Sequence, residues 1–147
     1  MKNVIKSLLL IVLVIIVNQI NAQDIVGKWK TIDDETGKPK SVVEIYKISD
    51  GRYFGKIVKL FREPGEDQNP KCTECKDGRK DKPIIGMIII TGMEKDGKEY
   101  NDGEILDPKN GSVYDCKMWI DKGNLNVRGY MGLSLLGRSQ VWLPYKE

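Results

Sequence analysis

Cys72-Thr73-Glu74-Cys75 is the most chemical-looking stretch of this 147-residue chain. Two thiols at that spacing can form a redox couple, join a metal site or close on each other. A thioredoxin-type site places its first cysteine at the start of an apolar-faced helix, which lowers the thiol pKa. Here Pro70, Gly78 and Pro83 bracket the pair, and no helical apolar pattern follows. Structural zinc wants four ligands, and Cys116 is the one cysteine left to add. In an oxidising compartment the plain expectation is a local Cys72–Cys75 disulfide that tightens its loop. Pairing with Cys116 is the alternative; otherwise Cys116 is a buried thiol on an apolar strand face.

Histidine is absent. Ser-His-Asp and Cys-His nucleophilic sites are thereby excluded, and the commonest zinc ligand is missing. Asp33-Asp34-Glu35 has the look of a catalytic or cation-binding cluster. It runs straight into Thr36-Gly37-Lys38-Pro39, however, where Asp serves turn hydrogen bonding. Asp107 before Pro108 opens a turn in the same way. No catalytic residue, metal ligand or cofactor is assigned from the sequence.

The elements that must carry these residues begin with an export signal. Lys2 and Lys6 form a positive n-region, residues 7–17 (SLLLIVLVIIV) an apolar core, and Asn18 to Ala22 a polar approach to a small residue. Cleavage after Ala22 is expected, leaving a periplasmic or secreted chain that starts at Gln23. The apolar run is about eleven residues against roughly twenty for a spanning helix. Residues 23–147 then make one domain of 125 residues. Lys2 and Lys6 supply two of the formal +3 charges, so that domain sits near +1. So small a charge argues against nucleic-acid binding.

Turn signals recur at short intervals, among them Asp50-Gly51, Asp96-Gly97, Asp102-Gly103 and Lys122-Gly123-Asn124. Between them lie strand-length segments, read at 25–33, 41–49, 52–62, 84–92, 99–106, 112–121, 124–130 and 138–145. Tyr114, Cys116, Met118 and Ile120 share one face, and Leu125 and Val127 face inward on the next strand. Only residues 131–137 suit a short helical turn. The expected fold is all-β, an antiparallel up-and-down barrel of about eight strands, with a sandwich as the alternative. Residues 84–90 are apolar on both faces, so their outside needs cover from the long 63–83 loop, a second copy or a partner.

Gly27-Lys28-Trp29 and Arg138 resemble a pattern of lipocalins and the wider calycin group. There a first-strand Gly-x-Trp closes the barrel end and a late basic residue packs across the indole. The resemblance implies contact between Trp29 and Arg138, with guanidinium stacked on indole. Longer motifs include Val26-Gly27-Lys28-Trp29-Lys30-Thr31, Lys82-Pro83-Ile84-Ile85-Gly86-Met87, Gly103-Glu104-Ile105-Leu106-Asp107-Pro108 and Val127-Arg128-Gly129-Tyr130-Met131-Gly132. Together with the Cys72/Cys75 pair they resemble a family of small exported bacterial proteins, domain of unknown function 2147. That resemblance implies fold and export and transfers no mechanism.

The expected function is a non-catalytic envelope or secreted protein holding a small, partly apolar ligand in the barrel. Tyr46, Tyr53, Tyr114, Arg128, Tyr130 and Trp142 are the candidate ligand contacts. The rival is a protein-interaction module, an inhibitor or assembly factor, acting through the 63–83 loop and the 84–90 strand. An enzyme using Cys72 and Cys75 is the third reading. Oligomeric state is not legible.

Overall fold

The computed structural model describes residues 23–147, so the expected export signal at 1–22 lies outside the described residues. Its strands are set by short polar turns. Lys122 and Gly123 both take positive φ (49° and 78°), the two-residue geometry that matches the twist of a hairpin. Eight strands result: β1 (Gly27–Ile32), β2 (Pro39–Lys47), β3 (Tyr53–Leu60), β4 (Ile88–Asp96), β5 (Glu99–Asp107), β6 (Ser112–Asp121), β7 (Asn124–Tyr130) and β8 (Arg138–Pro144). Each pairs antiparallel with the next, and β8 returns to β1 to close an up-and-down barrel. Closure removes the free edges that an open sheet would present. The connection from β7 to β8 carries a single 3-10 turn at Ser134–Leu136, inside the expected helical stretch.

Period-two alternation fills the interior. Cys116 and Met118 of β6 and Leu125 and Val127 of β7 are buried, while Asp115 stands in water. At one end the chain before β1 folds under the barrel. Ile25 and Trp29 are buried there, and the Trp29 indole donates to the Ile25 carbonyl at 2.8 Å. Tyr53 and Tyr100 meet edge-to-face at 4.9 Å, and both hydroxyls donate to the Asp24 carboxylate. That end is closed. Among the described residues, the strands, the closing pair and the core form one closed barrel.

Two sequence expectations are corrected. The fourth strand starts at Ile88, because residues 84–86 turn instead, with Gly86 at φ +88°. Their cover comes partly from the chain's own long loop. Arg79 donates to the Ile88 carbonyl and the Asn69 side chain accepts the Ile85 amide, while Ile85 and Ile88 stay 37% and 40% exposed. Trp29 and Arg138 do not touch. Trp29 pairs with Pro144 at the far end of β8, about 20 Å from Arg138 at ~3.3 Å per residue. Antiparallel pairing places the start of the last strand opposite the end of the first, so the Arg138 guanidinium meets Asp34 instead.

Candidate functional site

The other end of the barrel opens into a cavity of about 890 Å³. Its apolar lining includes Trp142, Val127, Ile57, Ile89, Ile105 and Leu106, supplied by β8, β7, β3, β4 and β5. Charged groups stand among its lining, including Asp33, Lys40, Arg62, Lys109 and Arg138. Apolar walls with a few polar groups are the usual composition of a small-molecule pocket.

The long connection from β3 to β4 lies against this mouth. Cys72 and Cys75 are joined by a disulfide and buried at 0% and 2% exposure in the hydrophobic core. The sequence left Cys116 as an alternative partner; it is a free, buried thiol. The segment after Cys75 forms turns with no helix, unlike a thioredoxin-type site. Backbone bonds from the Cys72 amide to Lys82 and from the Asp81 amide to Cys72 tie the loop to itself. Its tip rests on the β5–β6 turn. Gly111, at φ +69°, sits so close that a Cβ there would stand 1.8 Å from the Glu74 carbonyl oxygen. Pro70, Thr73, Glu74 and Ile84 thereby become part of the cavity lining.

Polar groups in the wall are paired with one another. Thr31 and Ser41, both 6% exposed, share a hydroxyl hydrogen bond of 2.7 Å between β1 and β2. Gln140 accepts from the Trp142 indole at 3.0 Å and donates to Asp34 at 2.8 Å. Asp33 holds the turn as expected, accepting from the amides of Glu35 and Thr36 and the Thr36 hydroxyl. Those Thr36 bonds hold its carboxyl below the usual range. The Lys40 charge also acts on the Asp33 carboxylate and favours its ionised form.

Of the six candidate ligand contacts, Tyr114, Tyr130 and Trp142 line the cavity. Tyr53 is buried at the closed end against Tyr100. Tyr46 stacks on Phe54 beside Ile45, the buried member of that strand pair, which puts it on the outside. Arg128 donates to Ser139 and to the Leu135 carbonyl, steadying the β7–β8 connection. Arg138, expected at the closed end, borders the cavity instead. Sequence reasoning missed Thr31, Ser41 and Gln140. Alternation was the available signal, since Trp29 and Thr31, and Gln140 and Trp142, are two apart on their strands.

Comparison with known proteins agrees with this architecture. No curated protein matches the sequence. A solved structure described as "Protein HP1028 from the human pathogen Helicobacter pylori belongs to the lipocalin family" superposes with a TM-score of 0.71. It is 15% identical, and the match covers 84% of this chain and 84% of that one, so the likeness is one of fold. The profile of the family described as "Uncharacterized protein conserved in bacteria (DUF2147)" matches residues 27–143, and the chain belongs to that family.

Proposed function

We propose that the barrel is a non-catalytic carrier or sensor that holds one small amphiphilic molecule in its open end. The observation that carries this reading is the cavity itself, about 890 Å³ with both apolar and charged groups in its lining. Typical small-molecule pockets span roughly 300–1,000 Å³. Lys40 offers an ammonium to a polar or acidic head, while Trp142, Ile57 and Val127 accept an apolar body. Action outside the cytoplasm, after cleavage behind Ala22, is part of the same proposal; it fits a disulfide-closed loop. N-terminal sequencing of the exported protein should read from Gln23, and an intact Met1 would overturn it.

Gly129 supplies the direct test. It lines the cavity, and a Cβ there would make ordinary contacts of 3.5 Å with Ile105 and Tyr114. Gly129→Leu should fill the pocket without unfolding the barrel. With N-phenyl-1-naphthylamine as the probe, residues 23–147 should bind with enhanced fluorescence, and the variant should lose at least about ten-fold in affinity, consistent with ~1.4 kcal/mol per decade. Equal binding by the two proteins would sink the proposal. Native mass spectrometry of protein from its own envelope would then identify the natural occupant.

A further inference from the structure

Thr31 and Ser41 carry the aliphatic hydroxyls that are buried among the described residues, and both line the cavity. They stand opposite each other on β1 and β2, two residues along from the buried pair Trp29 and Val43 on the same face. A buried hydroxyl costs free energy unless its hydrogen bonds are made, so the bonds of this pair can be counted. The Ser41 amide donates to Thr31 Oγ1 at 3.1 Å, and the two hydroxyl oxygens lie 2.7 Å apart. Thr31 also reaches the Ser41 carbonyl at 3.4 Å. If Thr31 donates to Ser41, the Ser41 proton is left without a protein acceptor among the described residues. If Ser41 donates to Thr31, both lone pairs of Ser41 Oγ stay open. Either way, Ser41 Oγ keeps a place for one more partner beside the cavity, as donor or as acceptor.

The rest of the lining says what that partner is. Gln140, on neighbouring β8, is already bonded to Trp142 and to Asp34. Ile57, Ile89, Leu106 and Val127 of β3, β4, β5 and β7 offer apolar walls. The cations of the lining are exposed, and acids compensate them: Arg62 meets Glu66, Lys109 meets Glu35 and Arg138 meets Asp34, while Lys40 acts on Asp33. Charges so placed are screened by water and salt and select weakly for an ion. A carboxylate seated at Ser41 would exchange its hydration for a single hydroxyl, which is far costlier than burying a neutral group. An alcohol matches, because its hydroxyl donates and accepts as that of Ser41 does. We propose that the occupant is an uncharged apolar alcohol whose hydroxyl seats against Ser41 Oγ, with its apolar body on the walls of β3, β4, β5 and β7. The proposal rests on the carrier reading and narrows it to a ligand class chosen by the buried hydroxyl pair.

The test uses three probes of one chain length: octanol, octyl chloride, which lacks the hydroxyl, and octanoate. Each displaces N-phenyl-1-naphthylamine from protein produced from the full chain, at about pH 8, where the acid is ionised. The quantity read is the ratio of octanol to octyl chloride affinity in parent and variant, which cancels the different hydration of the probes. Ser41→Ala should lower that ratio about five-fold, the effect of one hydrogen bond of ordinary strength. Ser41→Cys keeps the size and loses the strong hydroxyl; it should lower the ratio likewise, and serves if the alanine variant fails to fold. Octanol should also displace the dye from the parent at lower concentration than octanoate. An unchanged ratio in both variants would show that the pair only staples β1 to β2 and would overturn the proposal. Tighter binding of octanoate than of octanol would overturn it too, in favour of selection by charge. A parent that binds the dye but fails either comparison keeps the carrier reading and loses this one, whereas a parent that binds no probe loses both.

Discussion

Trp29 and Gly111 hold the barrel by different means, and each makes a quantitative expectation. Trp29 fills the closed end at 4% exposure, so Trp29→Ala should cost about 3–5 kcal/mol in chemical denaturation. Arg138→Lys changes only an exposed pair with Asp34 and should stay within about 1 kcal/mol. Gly111→Ala adds backbone strain and a collision with Glu74. Gly123→Ala has the same class of φ, +78°, with nothing within 4 Å, and isolates the strain. The Gly123 change should cost about 1 kcal/mol, and the Gly111 change clearly more, read as a difference in urea midpoints. Cys116 adds a pH dependence. Burial pushes its thiol up to about 12, while an unfolded thiol ionises near ~8.5. Its contribution is intact below the unfolded value and drains away as pH rises toward the folded one. Urea midpoints should therefore fall between about pH 9 and 12, and fall less steeply in Cys116→Ala. Parallel slopes in the two proteins would refute the assignment.

The long β3–β4 connection is the element in which chemistry and architecture diverge. Its cysteines carry the sequence's clearest reactive signature, yet the disulfide only closes the loop on itself, beside the place where Glu74 packs on Gly111 of the β5–β6 turn. A ring this short contributes about 2 kcal/mol in the chain-entropy model. C72A/C75A should lose about that much and raise amide exchange in residues 63–83, while β6 and β7 keep their protection. Uniform loosening of all strands would show that the loop is part of the core's cooperative unit. Strands whose turns are short were legible from sequence, and β6 and β7 have the bounds that alternation and the Lys122-Gly123 turn imply. The start of β4 was not. Ile84 to Ile90 is apolar throughout, and composition alone does not reveal that Gly86 turns the chain before the sheet begins.

At the scale of the whole molecule, strand count and order were legible because every neighbour in sequence is a neighbour in the barrel. The site was half legible. Aromatic residues can be picked from a sequence, but which end of a strand faces the mouth depends on register, and register is a tertiary property. Tyr53 and Trp142 look alike in sequence, yet one seals the floor of the closed end and the other faces the cavity.

The seam between β1 and β8 has a kinetic meaning. Two residue pairs join it, Trp29 with Pro144 and Lys30 with Leu143, against seven pairs between β6 and β7. The other pairings join strands consecutive in the chain and, the long β3–β4 connection apart, can zip up locally as soon as both strands exist. The seam must wait for the final residues and is the one loop closure that spans the domain, the slow kind of contact. Until it forms, the nascent sheet has two raw edges, the hazard that leads to intermolecular strand pairing. A chain stopped before β8 should therefore be found in inclusion bodies rather than as a smaller stable sheet. A circular permutant that joins the two termini and opens at the β6–β7 turn moves the domain-spanning closure from the two-pair seam to the seven-pair β6–β7 contact, and should therefore refold more slowly than the parent.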